Sequence, residues 1–83
     1  MKLLYFAWVR QKIGIGEEDF SPISGVTNVA ALIEALRKRG DGYAEAFRDS
    51  SRLCCAVNQE HTSFAARIGP NDEVAFFPPV TGG

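Results

Sequence analysis

The residues whose types and spacing could do chemistry are the last eight, FFPPVTGG, from Phe76 to Gly83. Gly82 and Gly83 carry no side chains, so a terminus made of them can pass through a narrow channel and present its carboxylate unobstructed. A free carboxylate is ionised at neutral pH and is a poor electrophile until it is activated; conversion to an acyl adenylate supplies the leaving group. The chain holds neither GxxxxGK[ST] nor GxGxxG, so the nucleotide for that activation would sit on a second protein. Upstream, Pro78 and Pro79 fix φ and withdraw two backbone donors, so a strand ending at Phe77 must stop pairing there and the tail must leave the sheet. At roughly 3.3–3.6 Å per residue, the stretch from Pro78 to Gly83 reaches about 20 Å, enough to enter another protein's active site. The competing reading is a frayed end of small residues.

Other polar groups support less chemistry. Cys54 and Cys55 are adjacent and cannot form the long-loop staple of small secreted domains. With no CxxC spacing and a single histidine, His61, there is no ligand set for structural zinc. Both cysteines read as strand residues of a protein in a reducing, cytosolic compartment. Glu17, Glu18 and Asp19 could bind a cation or form a solvated loop before an edge strand. His61 reads as a surface or loop histidine rather than a base. Asn58, Gln59 and Glu60 could hold a turn or contact a partner. Arg10 and Lys12 could meet acidic groups on an activating enzyme or simply solvate a strand end.

The elements that must position the tail can be read from patterning. Lys2 to Val9 is rich in aromatic and branched residues and lacks Gly and Pro, which predicts a first strand. Gly14 and Gly16 mark a turn. Glu17 to Ser24, with Phe20 and Ile23 apolar and Pro22 inside it, reads as an edge strand closing a hairpin. Val29, Leu32, Ile33 and Leu36 recur at helical spacing, predicting an amphipathic helix from Asn28 to Arg39, capped by Thr27 or Asn28 and stopped at Gly40. Tyr43 to Phe47 is a short second helical turn with Tyr43, Ala46 and Phe47 facing inward. Leu53 to Asn58 is a strand through Leu53, Cys55 and Val57. His61 to Ile68 reads as irregular. The turn formers Gly69, Pro70, Asn71 and Asp72 precede a last strand, Glu73 to Phe77. The expectation is an α+β domain over residues 1–83, with one main helix across one face of a mixed sheet.

Alternation along these strands gives a functional expectation. Leu3, Tyr5 and Ala7 share one face of the first strand, and Leu4, Phe6 and Trp8 the other; Val74 and Phe76 oppose Ala75 and Phe77 in the last. A sheet covered by helix on one side needs one apolar face, so the second calls for a cover, which is either a protein partner or the chain's own loops and short helical turn.

Composition excludes several classes. The chain has 83 residues, 46% hydrophobic and 23% charged, which suits one modest core rather than disorder. Formal net charge is -1 and no stretch concentrates Lys and Arg, which argues against nucleic acid. The opening MKLLYFAWVRQK is too short and lacks the cleavage site of a signal peptide, and no segment approaches the roughly 20 apolar residues of a membrane span.

FFPPVTGG, preceded by GPNDEVA, resembles the C-terminal signature of the small, sulfur-carrying subunits of molybdopterin synthase, which are ubiquitin-like β-grasp proteins. KLLYFAWVRQKIG, NVAALIEALRKRG and AVNQE also resemble the corresponding family segments, in the expected order. The resemblance implies that Gly83 is adenylated by an E1-like enzyme using ATP with Mg, with no cofactor held by this chain itself. A sulfur donor of the cysteine desulfurase or rhodanese type then converts Gly83 to a thiocarboxylate. The loaded tail enters a large catalytic subunit, in a heterotetramer, where cyclic pyranopterin monophosphate takes two sulfurs, one from each carrier. Catalytic groups are expected on that large subunit. Gly82 gives the narrow profile, Pro78, Pro79, Val80 and Thr81 orient the tail, and Phe6, Ala75 and Phe77 form the apolar docking patch. Three other readings share part of the pattern: a carrier for thiamin thiazole, a ubiquitin-like modifier joined to lysine through Gly83, and a plain binding module.

Overall fold

In the computed structural model, residues 1–21 and 25–79 are described. Strand β1 (Lys2–Tyr5) opens the chain as its composition predicts, with Leu3 and Tyr5 turned into the core. It ends at Tyr5 rather than at Val9. Ala7 adopts φ +53°, a left-handed conformation that turns the chain off the sheet, and helix α1 (Ala7–Ile13) follows. Val9 is fully buried and Ile13 packs beside the core, the i, i+4 pair that makes this segment helical. Gly14, at φ +99°, closes α1 as a left-handed cap, its N–H donating to Arg10 O at 2.7 Å. Three expectations change with this helix. Trp8 does not share the sheet face of Leu4 and Phe6, Ala7 does not lie beside Leu3 and Tyr5, and Arg10 and Lys12 sit in the last turn of α1 rather than at a strand end.

Strand β2 (Glu17–Asp19) is shorter than expected and pairs antiparallel with β1, Leu3 opposite Glu18. The two strands are joined through α1, not through a tight turn. Phe20 lies past the strand and packs against the core; Pro22 and Ile23 lie outside the described residues.

Helix α2 (Val29–Arg37) carries the apolar stripe predicted for it: Val29, Leu32, Ile33 and Leu36 are buried. Asn28 caps it, its Oδ1 accepting from Ala31 N–H at 2.8 Å. The stop differs from expectation, since Lys38 ends the helix in a right-handed conformation. Gly40, with extended φ of 160°, instead precedes helix α3 (Asp41–Ala46). Ala46 and Phe47 are buried and Tyr43 packs against them, as anticipated. Gly42 is needed where α3 meets α1, because a Cβ there would run into the Lys12 carbonyl oxygen.

After a single 3-10 turn at Ser50–Arg52 come β3 (Cys54–Val57) and β4 (Glu60–Thr62), the latter where an irregular segment was expected. Asn58 and Gln59 have φ of +51° and +71°, the two left-handed residues of a type I′ hairpin turn. β4 escapes an alternation test because all three of its side chains are exposed. Strand β5 (Glu73–Phe77) then takes the centre of the sheet, parallel to β1 and antiparallel to β3, giving the order β2-β1-β5-β3-β4. The architecture is α+β with a mixed sheet, as expected. Leu3, Tyr5, Cys55, Val74 and Phe76 meet the apolar faces of α2 and α3 in one core. Phe76 anchors it, edge-on to Phe47 at 5.0 Å and stacked on Tyr5 at 6.3 Å.

Candidate functional site

The site is built on the face of the sheet away from the helices. Because β5 alternates, Val74 and Phe76 are fully buried while Glu73, Ala75 and Phe77 point the other way and remain partly exposed. Register extends this face sideways. Leu4 lies opposite Ala75, Ala75 opposite Ala56, and Ala56 opposite His61, one row across four strands. The next row holds Cys54 opposite Phe77, and Phe6 beside it, since Phe6 N–H donates to Phe76 O at 3.1 Å and so continues the β1–β5 register. Phe6 is 49% exposed, a large cost for an aromatic ring unless something else covers it. The His61 ring lies against Phe77, centroids 4.8 Å apart.

Phe6, Ala75 and Phe77 are thus brought together as the alternation implied. Leu4, which alternation placed on the Phe6 face, completes the surface with Ala56, Cys54 and His61, which were not assigned to it. Ala56 and Cys54 were accessible to the same alternation; His61 was not, because its place depends on the hairpin turn at Asn58–Gln59. Pro78 follows Phe77 directly, so β5 ends at the edge of the apolar patch, with Pro79 beyond it. Val80, Thr81, Gly82 and Gly83 lie outside the described residues.

The remaining polar candidates have structural partners. Asn58 holds the turn against β5, donating from Nδ2 to Asp72 Oδ1 at 3.0 Å and accepting from Glu73 N–H at 3.0 Å. That contact, followed by the Gly69 N–H at 2.7 Å, holds the Asp72 carboxyl below its usual range. Cys55 is a buried core residue whose Sγ donates to Thr62 O at 3.4 Å, and that burial, with the neighbouring Cys54 adding to it, pushes its thiol up to about 11. Among the described residues no group of three or more His, Cys, Asp or Glu side chains gathers in a way that could hold a metal ion.

Glu18 is the unexpected centre. Its Oε2 accepts from Tyr5 OH at 2.8 Å and from Tyr43 OH at 2.7 Å, and its Oε1 from Arg39 at 2.8 Å. The side chain is only 12% exposed, and burial opposes its charge, but the two tyrosine hydroxyls and Arg39 outweigh that and lower its pKa. Burial, and then Glu18 itself, raise the pKa of Tyr5 far above the ordinary phenol range. The cluster ties β1, β2, α3 and the end of α2 together. Glu17 meanwhile pairs with Lys2 at 3.4 Å.

A five-stranded mixed sheet with one principal helix across one face is the ubiquitin-like β-grasp fold. SAMP1 of Haloferax volcanii shares it at a TM-score of 0.73 and 23% identity, covering 100% of this chain and 98% of that one. The ThiS family model matches residues 3–83, and the chain belongs to the ThiS family. It is 40% identical to the molybdopterin synthase sulfur carrier subunit of Escherichia coli over 83 residues, all of this chain and 99% of that protein. A candidate molybdopterin converting factor subunit 1 of Pyrococcus furiosus superposes with a TM-score of 0.74 at 32% identity, over 95% of each chain.

Proposed function

We propose that this chain is the sulfur carrier of a molybdopterin synthase and that Gly83 carries the sulfur. The observation that carries the reading is the junction at Phe77–Pro78. The central strand ends there beside an apolar patch that is partly exposed among the described residues, and the sequence runs on to Gly82 and Gly83. Similarity to relatives named as sulfur carrier subunits supports it.

The Gly83 carboxylate attacks the α-phosphate of ATP, bound with Mg on an E1-like activating enzyme, and pyrophosphate leaves. The terminal sulfur of a cysteine persulfide on a cysteine desulfurase or rhodanese-type donor then attacks the acyl carbon and displaces AMP. A second thiol reduces the resulting acyl disulfide, taking the donor cysteine into a disulfide and leaving a thiocarboxylate, a good nucleophile. In the large catalytic subunit the thiocarboxylate sulfur forms a bond to an electrophilic carbon of cyclic pyranopterin monophosphate as a C–O bond at that carbon breaks, its oxygen taking up a proton and leaving. Water then cleaves the resulting thioester, leaving the sulfur on the pterin and returning the carboxylate. Two carriers supply the two sulfurs of the dithiolene, in a complex of two small and two large subunits. Phe6, Ala75 and Phe77 dock the partner, Pro78 and Pro79 turn the tail away from β5, and the glycines pass where no side chain fits. The free thiols of Cys54 and Cys55 suit a cytoplasmic setting.

Reconstitution with ATP, the activating enzyme, a sulfur donor, the large subunit and cyclic pyranopterin monophosphate tests the reading. Deleting Gly83 should abolish molybdopterin formation while leaving thermal stability unchanged. Full product formation by the shortened chain would make the protein a plain binding module. Thiazole formation in a parallel reconstitution with a thiazole-forming enzyme and its substrates, without molybdopterin in the first, would identify the thiamin branch, and lysine conjugates without sulfur transfer would identify a modifier.

A further inference from the structure

A concave groove of about 350 Å³ lies between α1, the end of α3 and the 3-10 turn, on none of the surfaces used above. Trp8 and Lys12 contribute from α1, and Glu45, Arg48, Asp49 and Arg52 from the opposite wall. Its charges do not cancel in place. Glu45 is engaged by Arg48 at 3.4 Å, and Asp49 Oδ1 accepts from the Ser51 N–H at 3.1 Å and hydroxyl at 2.6 Å, capping the turn. Lys12 and Arg52 take no ion pair among the described residues, though Arg52 and Arg48 both act on the Asp49 charge; with three cations against two carboxylates the lining is net positive beside the chain's single tryptophan.

Topology puts this groove near the tail exit. Arg52 stands two residues before Cys54, which pairs with Phe77, and Trp8 stands two residues after Phe6, which bonds to Phe76. The strand end, the apolar patch and the groove therefore share one end of the sheet. A protein that swallows the tail must approach this end.

We propose that the groove is a second docking element, and that its occupant is an acidic segment of the activating enzyme bearing an apolar side chain that seats on Trp8. The inference rests on the carrier reading given above. Charge complementarity favours the anionic occupant. The choice of partner follows from kinetics: exposed charge pairs raise association rates more than they slow dissociation. That suits an enzyme that must release each carrier after adenylating it, rather than a lasting subunit contact.

The test uses the full chain, the intact activating enzyme and the large subunit. The chain carries 5-fluorotryptophan at Trp8, and adenylation is followed by pyrophosphate release. In Lys12→Glu/Arg52→Glu, kcat/KM for adenylation should fall roughly tenfold at low salt through KM, with the gap closing as salt rises. Lys12→Gln/Arg52→Gln should fall part of the way, and circular dichroism should match the parent for both. The fluorine resonance should shift when the activating enzyme is added. Phe77→Ala should weaken both partners at every salt concentration. If Phe77→Ala weakens both while the groove variants change nothing and the resonance stays put, docking stands and the groove proposal falls. If the groove variants weaken only the large subunit, or if inorganic phosphate alone moves the resonance, the assignment to an acidic segment of the activating enzyme is overturned. If Phe77→Ala weakens neither partner, the docking reading fails first and takes this inference with it.

Discussion

The two faces of β5 use neighbouring residues of one strand for opposite ends. Phe76 is wholly buried between Tyr5 and Phe47; Phe77, one residue later, lies partly exposed beside His61 and Phe6. The core face spends its aromatic area on holding the fold. The outer face leaves part of its apolar area in water, where it adds less to stability than the core face does. A single strand thus anchors its inner face in the core and presents its outer face as the surface that, on the proposed reading, docks the partner.

Breaking the first face should have the largest effect. Phe76→Ala should cost about 3–5 kcal/mol of stability, measured by denaturant unfolding, because it empties the centre of the core. Phe77→Ala should do the reverse. Stability should drop by no more than about 1 kcal/mol, since only part of the ring is removed from water on folding. Affinity for the large subunit should fall by about 2 kcal/mol, near thirtyfold in Kd by calorimetry. Equal stability losses for the two variants would erase the distinction between the faces.

A smaller effect tests what holds the sheet's far edge. Glu18→Gln removes the charge that Tyr5, Tyr43 and Arg39 converge on and should cost about 1–2 kcal/mol near neutral pH. The folded state holds the Glu18 pKa below its ordinary value. Its contribution is therefore complete above the unfolded pKa and is lost as pH falls through the folded one. The parent chain should lose stability over that acid range while Glu18→Gln stays flatter, as urea unfolding at a series of pH values would reveal. The smallest effect is expected from Asn28→Ala, which removes the α2 cap for about 1 kcal/mol and leaves partner affinity untouched.

The same contrast explains which features were legible in the sequence. Helix α2, strands β3 and β5 and the Phe6–Ala75–Phe77 patch follow from periodicity, which reports one-sided burial directly. Helix α1 was hidden because Trp8, Val9 and Ile13 favour strands locally, and because the break before it is a left-handed alanine rather than a glycine. Strand β4 was hidden because an edge strand with three exposed side chains has no apolar alternation, and its turn uses Gln59 where glycine is the usual signal. The Glu18 cluster joins residues 13, 21 and 25 positions away, a convergence that only the folded topology creates. Read locally, Glu17, Glu18 and Asp19 are three equivalent acids; in the fold, Glu18 alone turns inward.

The central claim concerns Gly83, and the most direct measurement is intact-mass and C-terminal-peptide spectrometry. The chain would be incubated with ATP, its activating enzyme and a sulfur donor, then treated with an alkylating reagent that traps thioacids. The account predicts replacement of one oxygen by sulfur at Gly83, found as the alkylated thioacid on the C-terminal peptide and absent without ATP. A Gly83 that stays a carboxylate, or that is recovered only in amide bonds to lysine, would contradict it.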